Sequence, residues 1–320
     1  MAEQVSRQGA GLGPHKKRGF ARVIRNMKKS SALYVMLLLP VVYFLIWHYW
    51  PMYGLIIAFK DYRVTMGFLD SPWVGFEHFE RFFNSFRFWR LIENTVGISV
   101  YGLIVGIPAP IILALMFNEL RQRRLKSFFQ TVSYAPNFIS VVVVAGIILF
   151  FLNPSTGVVN TVLEKLGFER IAFLAEPKYF WHIIVWSDIW QTVGWGSLIY
   201  FAAIQSIPAE QYEAAFIDGA SKLQKIWHIT LPNLLPTIVI LSILAMSQIM
   251  NVGFEKILLL QNPSNLERSQ VIQTYVYEAG ILQGQHSFAT AVGLFNNVIN
   301  FILLIVANQL AKKAGQASLW

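Results

Sequence analysis

The chain has 320 residues, of which 55% are hydrophobic and 13% are Asp, Glu, Lys or Arg; its mean hydropathy is +0.49. An ordinary soluble domain carries about 25% charged residues, so this composition excludes one, and apolar runs long enough to cross a bilayer as helices identify an integral membrane protein. Cysteine is absent, which excludes a disulfide framework and a thiolate metal site, and the net charge of +9 is distributed towards the membrane surface rather than towards nucleic acid.

Residues 1–31 are polar and basic, with Arg7, Lys16, Lys17, Arg18, Arg22, Arg25, Lys28 and Lys29 against Glu3. A basic amphipathic helix at about 20–29 fits the membrane surface, and a solvated tail fits equally. No small-residue cleavage pattern follows the first apolar run, so that run is expected to remain as an anchor. Six spans are predicted, at about 32–59, 92–117, 131–152, 181–204, 234–252 and 288–310. Pro40, Pro51, Pro108 and Pro110 lie in or beside the first two, as neighbouring helices in a membrane permit. Residues 60–90 form an aromatic-rich connection suited to the interface. Lys and Arg concentrate in the leader, the 118–130 loop, the segment 206–232 and the tail at 314–320 with its approach, Lys312 and Lys313. By the bias of cationic residues, these segments and both termini lie in the cytoplasm.

The segment 206–232 is amphipathic between two apolar spans. Pro208 suits the first turn of a helix, and Glu210 complements its positive end. Phe216, Ile217, Ala220 and Leu223 fall near one face. Ala214 and Ala215 are small enough for a partner to approach the backbone, and Gly219 permits a tight turn or close contact. A second short helix is expected to hold the first through Trp227 and Ile229, and Pro232 and Pro236 to set the start of the fifth span. Glu213 offers a carboxylate to a basic partner. An ordinary interfacial helix would share most of these features.

Within the spans, Asp188, Gln191 and Trp195 share a face of the fourth, Gln248 and Asn251 lie in the fifth, and Asn296 and Asn300 share a face of the sixth, with Asn297 beside them. Intramembrane polar residues are costly and usually face a cavity or each other. Amides bond hydroxyls and Trp186, Trp190 and Trp195 offer flat faces, so these residues are candidates for a translocation path; bonding between helices is the alternative. The histidines, including His48, His182 and His286, are scattered and are expected to be packed or interfacial rather than metal ligands.

Glu213-Ala214-Ala215, then Gly219, Ile229 and Leu231-Pro232, at this spacing, resembles the cytoplasmic signature of permease subunits of binding-protein-dependent ABC importers. Asp218-Gly219-Ala220 and Ser206-Ile207-Pro208 resemble the carbohydrate branch. So do Phe59-Lys60-Asp61-Tyr62, Trp73-Val74-Gly75-Phe76 with Phe79, Asn94-Thr95, and the stretch from Trp186 to Tyr200 with Gly194-Trp195-Gly196. The leader and the connection after the first span are similar to the subgroup importing complex oligosaccharides or polysaccharide fragments.

The resemblance implies an all-α fold of the type I ABC importer permease, with six transmembrane helices, in a bacterial plasma membrane. Glu213, Ala214, Ala215, Phe216, Asp218, Gly219 and Ala220 would then form a coupling helix docked on an ATPase, with Leu231 and Pro232 fixing its attachment. It also implies a second, homologous permease subunit, two ATP-binding subunits and an extracytoplasmic solute-binding protein. ATP and Mg would be bound by the ATPases, leaving no cofactor in this chain. Consistent with that, no G-x-x-x-x-G-K-[ST] loop, His-Glu-x-x-His or G-x-S-x-G motif occurs. An integral membrane enzyme, a permease for a non-sugar solute and a stand-alone secondary transporter are the alternative readings. Paired intramembrane acids and inverted repeats, expected of the last, are not seen.

Overall fold

The computed structural model describes residues 31–315 and 318. The predicted leader up to residue 30, with its surface helix, and residues 316, 317, 319 and 320 of the predicted tail lie outside the described residues. Among the described residues the regular structure is helical, with one isolated antiparallel bridge between Lys60 and Trp73. The chain divides into two compact units, one ending at Ile56 and one beginning at Ile57.

The first unit holds α-helix Ser31–Phe44, with Pro40 inside it, then a π turn Leu45–Tyr49 and the short helix Trp50–Met52. Counted to Phe59, the helical run is 29 residues long with a mean hydropathy of 1.9, enough to cross a bilayer.

In the second unit, Phe88–Glu119, Lys222–Met246 and His286–Lys313 are also long and apolar enough to cross. Helix Pro177–Gln205 is 29 residues long and coincides with the predicted fourth span, though Asp188, Gln191 and other polar residues interrupt its apolar character. It is the central element. It packs against Phe88–Gly106, Pro108–Glu119, Arg123–Tyr134 and Leu231–Met246. Its buried Phe180, Ile184 and Val185 join Ile98, Ala145, Ile257 and Leu260 in one core cluster. Tyr200 and Ile204 join Ile111, Ala114 and Leu234 in another, nearer its C-terminal end.

Two predicted spans need correction. The third is not one straight helix over 131–152. Arg123–Phe138 and Val141–Phe151 are bent by 99° at their junction. Pro136 sits in a 3-10 turn there, and Ser140 caps the second helix by accepting from the Val143 N–H. The fifth ends at Met246 rather than at 252, and begins at Lys222. Pro232 and Pro236 do not set its start, because the helix runs through both. A π turn, Ile226–Thr230, precedes Pro232, and the wider turn accommodates a ring that lacks an N–H.

The connection after Phe59 is tightly folded. The Lys60 ammonium is buried and donates to the carbonyls of Phe68 at 2.9 Å and Leu69 at 2.8 Å. Phe59 stacks on Trp73, and the Tyr62 N–H donates to Ser287 Oγ. Asn94, fully buried, donates to the carbonyls of Glu267 and Gln270, both at 2.9 Å, while Thr95 Oγ1 accepts from the Ile272 N–H.

At Gly194 the central helix touches backbone. A Cβ there would stand 1.9 Å from the carbonyl oxygen of Ser133. Gly194→Ala is therefore expected to destabilise the protein by about 1–3 kcal/mol, the usual range for overpacking. Gly102→Ala, with nothing within 4 Å, should not lower the melting temperature; a thermal melt of the purified protein compares the two.

Candidate functional site

The segment 206–232 folds into a projecting knob. Pro208 is the residue before helix Ala209–Ile217, in extended backbone, so it stands one position earlier than a first-turn proline. Glu210 lies in the first turn, as the helix dipole favours. The helix ends in a Schellman motif. Gly219 adopts φ +76°, the Ala220 N–H donates to the Ala215 carbonyl at 2.8 Å, and the Gly219 N–H donates to the Phe216 carbonyl at 3.1 Å. A Cβ on Gly219 would meet nothing within 4 Å. Glycine is thus required there by its left-handed backbone and not by a close contact within the chain. Ser221 then opens the next helix with a capping box closed by Gln224.

Trp227 does not hold the knob, contrary to expectation, because its side chain is exposed. The joint is polar instead. Tyr212 Oη and Thr230 Oγ1 lie 3.0 Å apart, and Asn233 Nδ2 donates to Gln211 Oε1 at 3.0 Å and to the Ile229 carbonyl at 2.8 Å. Lys225 lies over the Phe216 ring, and Lys222 meets Glu119, the last residue of Phe88–Glu119, at 2.9 Å. That pair is largely exposed and contributes at most about 1 kcal/mol. Glu213, Ala214 and Asp218 are exposed, Ala215 and Ala220 half-buried, Leu231 half-buried and Pro232 exposed. Phe216, Ile217 and Leu223 are 73%, 84% and 68% exposed, an apolar surface that the described residues leave largely open.

The polar residues of the spans fall into two groups. In the first, Asp188 is half-exposed and forms an ion pair with the Lys256 ammonium, which is 3% exposed. Sequence reasoning missed Lys256; its signal is a lone cation in the apolar run Phe254–Leu260. Gln191 is buried, and its amide donates to the Ile139 carbonyl at 2.9 Å, at the bend of the broken helix. Trp195 is half-exposed and meets Phe138 edge to face. Trp186 and Trp190 are exposed.

The second group surrounds the break after Met246. Asn251 donates to Gln248 Oε1 at 2.7 Å and accepts from Gln273 at 3.0 Å and from Asn296 at 2.9 Å. Asn300 accepts from the Met250 N–H at 2.9 Å, and Ser99 Oγ donates to the Ile249 carbonyl. Gln248 and Asn251 are exposed, Asn296 and Asn300 buried, and Asn297 exposed. Asn296 Oδ1 and Asn300 Nδ2 have no partner among the described residues. His182 bonds Tyr101 at 2.9 Å and His286 lies beside Tyr62. Among the described residues no three His, Cys, Asp or Glu are grouped to hold a metal ion.

Residues 106–316 match the family described as "Binding-protein-dependent transport system inner membrane component". The chain is 42% identical over 294 residues to protein LplB of Bacillus subtilis, covering 92% of each chain. It is 40% identical over 305 residues to the polygalacturonan/rhamnogalacturonan transport system permease protein YteP of the same organism, covering 95% of each. A solved chain from a bacterial ABC transporter involved in import of the acidic polysaccharide alginate superimposes with a TM-score of 0.85 at 42% identity, covering 91% of this chain and 99% of that one. A second structure of a bacterial alginate ABC transporter, in complex with an alginate pentasaccharide-bound periplasmic protein, gives a TM-score of 0.86 at 41% identity, covering 93% and 100%.

Removing one partner of the pair between Asp188 and Lys256 should act unequally. Asp188→Asn strands a buried ammonium and is expected to lose up to about 3–5 kcal/mol, whereas Lys256→Met leaves a carboxylate that solvent can reach. The double variant should recover most of the loss, and equal melting temperatures for the two single variants would contradict the burial assigned to Lys256.

Proposed function

The chain belongs to the family of binding-protein-dependent transport system inner membrane components, and on that premise we propose that it is the permease for an oligosaccharide or polysaccharide fragment, driven through its knob by a separate ATPase. The chain is a multi-pass membrane protein of the transport machinery and not its ATP-hydrolysing subunit. The observation that carries the coupling role is the exposed knob itself, which lies within the matched residues 106–316. Its apolar Phe216 and Ile217 stand clear beside the carboxylates of Glu213 and Asp218. A cleft on an ATPase could cover the former and ion-pair with the latter.

In this reading the knob and both termini are cytoplasmic, and the membrane is the bacterial plasma membrane. Each of two ATPases binds ATP and Mg; one docks on this knob and the other on the knob of a second, homologous permease. An extracytoplasmic solute-binding protein delivers the cargo. The saccharide class is supported by the named cargo of YteP and of the alginate importer. Asp188, Trp195, Gln248 and Asn251 are half-exposed or exposed and would line the path. The buried Gln191, Asn296 and Asn300 would hold its walls, since their amides are engaged with backbone or neighbouring amides. Closure of the ATPase pair would draw the knobs together and tilt the spans that carry them.

The coupling role predicts that Glu213→Arg combined with Gly219→Arg leaves the protein in the membrane and abolishes ATP-driven uptake. Because Gly219 has a left-handed backbone, Ile217→Asp serves as the companion variant at a position that is 84% exposed. It should fold normally and lose ATPase subunits on co-purification. Uptake at the wild-type rate by either variant would remove the knob from the mechanism.

A further inference from the structure

A polar cleft lies at the opposite end of helix Phe88–Glu119 from the knob. Helix Phe88–Glu119 links the two. Its 32 residues extend up to about 48 Å at 1.5 Å per residue, more than the roughly 30 Å hydrocarbon core. Glu119, at one end, meets Lys222 of the knob. Arg87, just before the other end, lines a cleft of about 340 Å³ with Arg81, Phe86, Tyr275, Gln283 and Gln285. Small-molecule sites commonly measure about 300–1,000 Å³, so this one has room for a sugar unit rather than a chain.

The charge in this cleft is under-compensated. The Arg81 guanidinium donates to the neutral Gln285 amide at 2.7 Å and lies 4.4 Å from the Phe288 ring centroid. Arg87 meets Glu278 at 3.5 Å, long beside the roughly 2.7–2.9 Å of a strong charge-assisted bond. Glu278 is already engaged, accepting from Gln270 at 2.8 Å and from Gln283 at 3.2 Å. Arg90 adds a third guanidinium nearby, donating to Gln270 at 3.4 Å, and its Nε is buried without a partner among the described residues. Guanidinium forks match carboxylates in plane and in spacing. At the mouth, the Phe86 ring is 86% exposed and offers a flat apolar face, while Gln283 and Gln285 offer amides to hydroxyls.

We propose that this cleft receives the carboxylate of an acidic sugar unit, on the membrane face opposite the knob. The proposal rests on the saccharide reading above and adds to it the charge of the cargo and the residues that first contact it. Arg81 supplies the free donors, Arg87 exchanges its long contact with Glu278 for the incoming carboxylate, and Phe86 lies against the ring.

The test uses the full chain purified with its partner subunits in nanodiscs. Phenylglyoxal modification of Arg81 and Arg87 is followed by mass spectrometry, with trigalacturonate or the neutral galactotriose of the same linkage present. At ten times the half-saturating concentration, trigalacturonate should slow modification at both positions by about tenfold, and galactotriose should not. Equal protection by the two sugars, or none by the acid, overturns the proposal.

The competing source of carboxylate is the solute-binding protein. Sugar-free binding protein should therefore sediment with the Arg81→Gln/Arg87→Gln variant as it does with wild type, and loss of that association assigns the arginines to protein docking and overturns the proposal. Failure of the parent reading looks different. If sugar import is wrong, neither saccharide stimulates the wild-type ATPase and both readings fall. If only the cleft is misassigned, stimulation persists while Arg81 and Arg87 stay unprotected.

Discussion

Backbone N–H and C=O groups cannot be left unpaired in lipid, and that constraint governs where this chain places its polar side chains. At three irregular points of the bundle, an amide or hydroxyl from another helix takes over the freed backbone group. Gln191 accepts the task at the bend near Ile139, Asn300 and Ser99 do so at Met250 and Ile249, and Asn94 does so at Glu267 and Gln270. Each bond joins segments far apart in sequence, so the irregular points of the bundle are also its fastenings.

The central helix Pro177–Gln205 illustrates how much is asked of one element. Gly194 brings it against the Ser133 carbonyl, Gln191 fixes the bend, and Asp188 neutralises Lys256. On the same helix, Trp186, Trp190 and Trp195 remain uncovered. Structural and exposed roles therefore alternate along a single helix. Helical periodicity alone groups Asp188, Gln191 and Trp195 together, and only their partners separate the buried amide from its exposed neighbours.

What could be read from the chain follows the range of the interactions concerned. The knob was legible because its determinants are local: a proline before the helix, Glu210 in its first turn, and Gly219 ending it. Its fastening was less so, since Gln211 to Asn233 and Tyr212 to Thr230 pair residues whose chemistry is unremarkable in isolation. The 99° bend escaped hydropathy because Val141–Phe151 is uniformly apolar; Pro136 and Ser140 were its only marks. Lys256 was invisible as a pair because its carboxylate lies 68 residues away. Arg81, Arg87 and Arg90 were hidden among the phenylalanines of the connection that precedes the second span.

The π turn at Ile226–Thr230 has a consequence for how the knob and the fifth span share one helix. An α-helix advances about 100° per residue, so a turn holding one surplus residue resets the azimuth of everything beyond it. The faces of the knob and of Leu231–Met246 are thereby uncoupled in angle while remaining continuous in length. Such a joint transmits a push along the axis, yet lets the face that the knob exposes and the face seen by the central helix be chosen independently.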